Sequence, residues 1–185
     1  MTIVRHRFSV EDYHRMAQAG ILSEDDRVEL IEGEVVQMAP IGPRHAAQVA
    51  RLSALLHEAS KGRAILWTQN PVRLGEHSEP QPDLALLRPR ADYYATAHPT
   101  AADVLLVVEV AETSADYDRQ LKLPLYARHG IPEAWLVDLE RTRVEVYRRP
   151  TAEGYGEVMT LGTGDALSPL ALPDVSLPLS EVLVR

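Results

Sequence analysis

Three residues of this chain have side chains that together could do phosphoryl chemistry: Asp83, Glu109 and Lys122. Glu109 stands inside VLLVVEV. A carboxylate buried there without a partner would sooner take up a proton than stay ionised. Ionised, it needs a cation, hydrogen-bond donors or a metal ion. Asp83 follows Pro82 in EPQPDLALL, and Lys122 lies in DRQLKLPLY, four residues after Asp118 and four before Tyr126. Taken singly, each has an ordinary reading: a solvent-reaching strand end or an arginine pair for Glu109, a turn aspartate for Asp83, and an exposed helical ion pair for Lys122. Taken together, they fit one chemistry. Mg²⁺ takes oxygen ligands and is held through one or two carboxylates, the rest of its octahedron being water and substrate phosphate. Such an ion lowers the pKa of a bound water, and a neighbouring lysine orients that water and stabilises the charged transition state of phosphodiester hydrolysis.

Lysine usage sharpens the reading. Of 19 basic residues, 17 are arginine, and the only lysines are Lys61 and Lys122. A chain that relies on arginine wherever positive charge suffices marks a lysine as a position to examine, because lysine is a compact point charge whose pKa moves readily on burial. Asp118 and Tyr126 flank Lys122 at helical spacing, able to set its position or its pKa.

The elements that must position these groups follow from periodicity and punctuation. Ser9 with Asp12 forms a capping pair that opens a short helix stopping at Gly20. Arg27 to Met38 reads as two strands around Glu32-Gly33. Pro43 to Ser60 carries Val49, Leu52, Leu55, Leu56 and Ala59 at the spacing of an amphipathic helix, and His45 shares that stripe and so faces the sheet. A buried, hydrogen-bonded histidine is its ordinary reading, contact with phosphate or water the functional one. Short strands are expected at Ile65 to Thr68, Val72 to Leu74 and Asp83 to Leu87. Asp103 to Ala111 is apolar on both faces, as a central strand should be. A helix from Tyr117 to His129 follows, capped by Ser114 and closed by Gly130. Pro124 either kinks it or restarts it. Strands at Ala134 to Asp138, Val144 to Arg148 and Glu157 to Leu161, and a short helix at Ser180 to Val184, are expected beyond it. Strand, helix, strand around Glu109 suggests a βαβ crossover within a mixed sheet. The class is α/β or α+β, in one domain over residues 1–185.

Composition sets the outer bounds. Apolar residues make up 45% and charged residues 25% of 185, the balance of a globular domain. No apolar run is long enough to span a membrane, no secretory leader is recognisable, and there is no cysteine for disulfides or thiolate metal sites. A cytoplasmic setting fits. The net charge of −8 is poor for general DNA binding. The local clusters Arg88 with Arg90, and Arg141, Arg143, Arg148 and Arg149, read mainly as solvated surface. No phosphate-cradling glycine loop, nucleophile elbow or histidine-rich zinc spacing is present.

Pro82-Asp83, the strand LVVEV ending at Val110, and DYDRQLKLPLYARHGIPEAWLVD from Asp116 to Asp138 resemble the Uma-two family of restriction endonucleases, within the PD-(D/E)XK nuclease superfamily. FSVEDYHRM, VELIEGEVVQMAP, His45 and the proline-rich tail match in the same order, so the resemblance covers most of the chain. It implies a restriction-endonuclease-like mixed central sheet flanked by helices, with Asp83 and Glu109 as metal ligands. The lysine usually found two residues beyond the glutamate is absent, that position being Ala111. The resemblance moves it into the next helix, at Lys122. It also makes Glu29 or Glu34 an early acidic residue brought toward the metal, and alternation does not decide between them.

The expectation is a Mg²⁺- or Mn²⁺-dependent endonuclease acting on DNA, as a homodimer because two strands require two sites. The alternative is a non-catalytic nucleic-acid-binding or regulatory domain of the same fold with a vestigial site, favoured by the net charge and the missing lysine at Ala111. A phosphodiesterase acting on RNA or nucleotides would use the same chemistry.

Overall fold

The computed structural model describes residues 5–23 and 25–183. Helix α1 (Val10–Gln18) starts where expected, because Ser9 and Asp12 form a reciprocal capping box. Strands β1 (Val28–Ile31) and β2 (Glu34–Gln37) form a separate antiparallel hairpin. Its two turn residues, Glu32 at φ 49° and Gly33 at φ 83°, both adopt the left-handed conformation that a two-residue hairpin loop needs. A Cβ on Gly33 would lie 2.5 Å from the Arg7 Cβ and 2.9 Å from its Cα. Gly33→Ala is therefore expected to lower unfolding free energy by at least about 1 kcal/mol, through backbone strain and the clash together. Urea denaturation measures this, and an unchanged midpoint would contradict the geometry.

Helix α2 (Pro43–Ser60) packs beside a six-stranded sheet in the order β3 (Ile65–Thr68), β4 (Leu84–Leu87), β5 (Val104–Ala111), β6 (Glu133–Asp138), β7 (Arg143–Thr151), β8 (Gly154–Leu161). Every neighbouring pair is antiparallel except β5–β6. That parallel pair is joined by the helical run α3 (Ala115–Tyr117), a π-helical turn (Asp118–Lys122) and α4 (Leu123–Arg128). It is the expected crossover. A small pair, β9 (Ala166–Leu167) with β10 (Leu177–Pro178), and helix α5 (Leu179–Val182) follow. Of the expected terminal helix, Val184 lies outside the described residues.

Two apolar layers cover the sheet. Val49, Leu52 and Leu56 of α2 pack with Leu84, Leu86, Leu106, Val108 and Val110. Leu123, Leu125 and Tyr126 of α4 pack with Ala85, Leu87, Val107 and Ala111 on the other side. This accounts for the apolar run of β5: from Leu106 onward alternate residues enter different layers, and both layers are buried, while a register shift against Leu86 and Leu87 interrupts the alternation before it. Glu109 shares the parity of Val107 and Ala111, so it faces the helical run that carries Lys122. This mixed α+β architecture, a central mixed sheet flanked by helices, is the expected fold.

Residues 72–74 form no strand, contrary to expectation. Val72, Arg73 and Leu74 donate to the carbonyls of Pro80, Pro99 and Ser78, with one isolated bridge from Arg73 to Thr100. Pro80 has no N–H to return to Val72, and the contact with Thr100 is a single parallel bridge, so no ladder propagates. The two apolar side chains are nonetheless fully buried.

Candidate functional site

Four elements bring one carboxylate each toward the end of β5. Glu109 comes from β5 itself. Asp83 immediately precedes β4, whose register sets Leu84 opposite Val108. One further step brings Asp83 alongside Glu109, and its Oδ2 accepts the backbone N–H of Val110 at 2.9 Å. Glu29 projects from β1, and its Oε2 accepts from the Gln81 N–H at 3.1 Å. Asp118 opens the π-helical turn and accepts from the Ser114 hydroxyl at 2.9 Å.

The π-turn answers the question posed by Pro124. That residue lacks the N–H for an ordinary i→i−4 bond, and the widened turn before it is closed by Leu123 N–H bonding to the Asp118 carbonyl. Asp118, Lys122 and Tyr126 are all buried on the sheet side of this run. Lys122 Nζ lies 3.1 Å from Glu29 Oε2 and 3.3 Å from Glu109 Oε1. Tyr126 donates its hydroxyl to the same Glu109 Oε1. Both donors thus meet one carboxylate oxygen, and Oε2 is engaged by neither. From the other layer, His45 Nε2 reaches Asp83 Oδ2 at 3.1 Å. Glu29, His45, Asp83, Glu109, Asp118 and Lys122 border a cleft of about 260 Å³, with Tyr126 behind them.

Electrostatically the cluster has an excess of negative charge. Burial raises Glu109 to about 8, against the opposing pull of Lys122. It raises Asp118 to about 6, again opposed by Lys122 and by the Ser114 bond. Burial would discharge Lys122, but Glu109, Glu29, Asp118 and Asp83 outweigh it and hold the ammonium charged. His45 is raised chiefly by its bond to Asp83, with burial working against it. Tyr126 is driven well above the ordinary phenol range by burial and then by Glu109, so it remains a donor.

Seven of the eight residues singled out by sequence meet here: Asp83, Glu109, Lys122, Glu29, His45, Asp118 and Tyr126. Glu34 does not; its side chain is 62% exposed and pairs with Arg5. Ser114 holds Asp118 and makes no side-chain bond to the helix end, so its expected capping role is replaced by one within the cluster. Sequence reading missed Gln81, whose contribution is a backbone N–H and leaves no compositional trace. The arginine clusters are largely occupied. Arg90 pairs with Asp92, Arg141 and Arg143 with Asp138, Arg148 with Glu133, and Arg149 with Glu157.

The mixed sheet, its helical layers and the carboxylate-lined cleft define a restriction-endonuclease-like class of protein. The chain belongs to the Uma2 family, described as "Putative restriction endonuclease", whose model matches residues 10–180. Among solved structures it is similar to a protein from Anabaena variabilis described as a putative nuclease, with 19% identity, a TM-score of 0.76, and coverage of 95% of this chain and 97% of that one. At that identity the likeness establishes the fold. No curated protein matches the sequence.

Proposed function

We propose that the chain is a Mg²⁺- or Mn²⁺-dependent DNA endonuclease whose metal ligands are Asp83 and Glu109 and whose catalytic lysine is Lys122. The observation that carries this reading is Lys122 itself. One of only two lysines in the chain, it is buried between Glu29 and Glu109 at the wall of an open cleft. The donor set fits a hard divalent ion: it is all oxygen, carries surplus negative charge, and includes a carboxylate that burial drives toward protonation. When bound, such an ion supplies an activated water and offsets charge on the phosphate.

The protein groups have distinct tasks. Tyr126 and Lys122 occupy Oε1 of Glu109 and fix its rotamer. His45 and the Val110 N–H fix Asp83 in the same way. Glu29 draws Lys122 toward the cleft, where the ammonium can orient a water and stabilise a phosphate oxygen. Assembly as a homodimer in the cytoplasm completes the reading: a duplex has two strands to cut, and the family resemblance carries the dimer.

The direct test is cleavage of supercoiled plasmid and linear duplex with added Mg²⁺ or Mn²⁺. Wild type should nick or cut, and Lys122→Ala should lose activity by roughly 10²–10³-fold. No cleavage of any DNA form, or equal cleavage by Lys122→Ala, would overturn the reading. Thermal unfolding gives a second expectation. Saturating Mn²⁺ should raise the Tm of wild type, by an equivalent of about 2.7 kcal/mol at 100 times Kd, and should leave Asp83→Asn unmoved. If neither cleavage nor a shift occurs, the chain is a non-catalytic domain of this fold.

A further inference from the structure

A second group of ligand-type side chains lies away from the cleft. His14 comes from α1, Glu79 from the segment that bridges to β1, and His98 from the loop before β5. One donor atom from each lies within 4.8 Å of the others. His14 Nε2 is 2.7 Å from Glu79 Oε1, and the His14 and His98 rings meet edge to face at 6.2 Å. None of the three borders the cleft.

Glu79 is the residue that points to a ligand. It is 2% exposed, its backbone is anchored by an N–H bond to the Leu30 carbonyl, and its Oε2 is buried with no hydrogen-bond partner among the described residues. Its only ion-pair partner among the described residues is His14; no arginine or lysine reaches it. A buried carboxylate oxygen left unpaired is costly, and the usual remedies are a donor, a cation or a metal ion.

We propose that His14, Glu79 and His98 form a binding site for a divalent transition metal of the zinc class, distinct from the Asp83 and Glu109 pair. Two imidazoles and one carboxylate are a three-ligand set that suits Zn²⁺ with a fourth position open to water. Mg²⁺ and Ca²⁺ prefer oxygen ligands and are disfavoured by the two imidazoles. Tetrahedral ligands about 2.0–2.1 Å from the ion sit about 3.3 Å apart, so His98 must approach by roughly 1.5 Å or less, while His14 Nε2 and Glu79 Oε1, 2.7 Å apart, must separate by about 0.6 Å. The exposed His98 supplies the approach, and rotation of the His14 and Glu79 side chains supplies the separation, with the capped helix of His14 and the backbone of Glu79 in place. The bound ion joins α1 to the 72–81 segment and the loop before β5. Its consequence reaches the cleft indirectly, because the 79–81 segment also holds Glu29 through the Gln81 N–H.

The test is titration of the full chain with ZnCl₂ by calorimetry and thermal unfolding, with MgCl₂ as the comparison. It is run in a Glu109→Gln background so that the cleft does not contribute. One equivalent of Zn²⁺ should bind and raise the Tm, and Mg²⁺ at the same concentration should not. His98→Ala, at an exposed position that the fold does not depend on, and Glu79→Gln should each weaken Zn²⁺ binding at least roughly tenfold. His98→Ala in the native background should keep its Mg²⁺- or Mn²⁺-dependent shift. Absence of a Zn²⁺-linked shift overturns the proposal, as does equal Zn²⁺ binding by both variants. Either result leaves the nuclease reading standing.

Discussion

Replacing Glu109 by glutamine should abolish metal-dependent cleavage while making the metal-free protein at least as stable as wild type. On the proposed reading the two effects separate, because there the carboxylate serves the ion and not the fold. Loss of a metal ligand at a phosphoryl-transfer site should lower the rate by on the order of 10³-fold. The metal-free fold, in contrast, is burdened by Glu109. Its pKa is raised by burial from 4.5 to about 8, so the folded state binds a proton that the unfolded state has released. Wild-type stability therefore falls as pH rises from about 4.5 to about 8, and Glu109→Gln removes that fall. The amide oxygen can still accept from Tyr126 and Lys122, which keeps the buried donors satisfied. Melting curves of both proteins across this pH range, in chelator, decide the matter. A variant that melts below wild type at pH 8, or that still cuts DNA with Mn²⁺, would refute the assignment of Glu109.

The largest loss of stability is expected from Arg119→Met. Arg119 lies in the π-helical turn, three residues before Lys122, and ties that turn to the sheet. Its Nη2 donates to Asp138 Oδ2 at 2.7 Å and to Glu145 Oε1 at 3.0 Å, and its Nε donates to Glu145 Oε2 at 2.9 Å. Asp138 and Glu145 are both buried, so removing the guanidinium leaves two carboxylates with only partial cover, from Arg141, Arg143 and Tyr147. Breaking fully buried pairs costs about 3–5 kcal/mol, and with the Arg119 side chain 21% exposed the lower end of that range applies. At the lower figure, Tm should drop by roughly 6–12 °C for a chain of this size.

The pH dependence follows from the same contacts. Burial would raise both carboxyls, but bonds from Arg141 and Arg119 to Asp138, and from Arg119 and Tyr147 to Glu145, hold both below their ordinary values. Depressed carboxyls stabilise the fold fully above the ordinary carboxylate range, and the contribution is lost as pH falls below about 4. Arg119→Met should flatten that acid limb as well as lower the plateau. A variant with wild-type Tm and an unchanged acid limb would show that the network contributes nothing. Because the turn also carries Asp118 and Lys122, residual folded variant should cut more slowly without any change in the groups that face the cleft.

Arg119 and Lys122 also explain what lysine scarcity was reporting. The guanidinium is used where two carboxylates must be bridged by a planar fork, and the ammonium where a single charge must sit between carboxylates at a cleft wall. Lys61, the other lysine, forms an exposed pair with Glu58, so scarcity pointed to both positions and burial alone distinguishes them.

What the sequence by itself determined is local or strongly patterned. The capping box of Ser9 and Asp12, the left-handed turn at Glu32-Gly33, the stripe of α2 and the doubly buried strand around Glu109 each depend on residues within about one or two turns of chain. Such contacts need no partner from elsewhere. Tertiary structure decided whatever depends on two distant segments meeting. It chose Glu29 over Glu34, because only packing determines which glutamate of a two-stranded hairpin turns inward. It set His45 on Asp83, prevented a ladder at residues 72–74 by placing Pro80 opposite Val72, and gave Ser114 to Asp118. It also gathered His14, Glu79 and His98, whose sequence separations match no metal-binding spacing. Asp83, Glu109 and Lys122 span both kinds. Apolar patterning buried the glutamate and composition singled out the lysine, but a sheet register and a widened helical turn are what bring the three to one cleft.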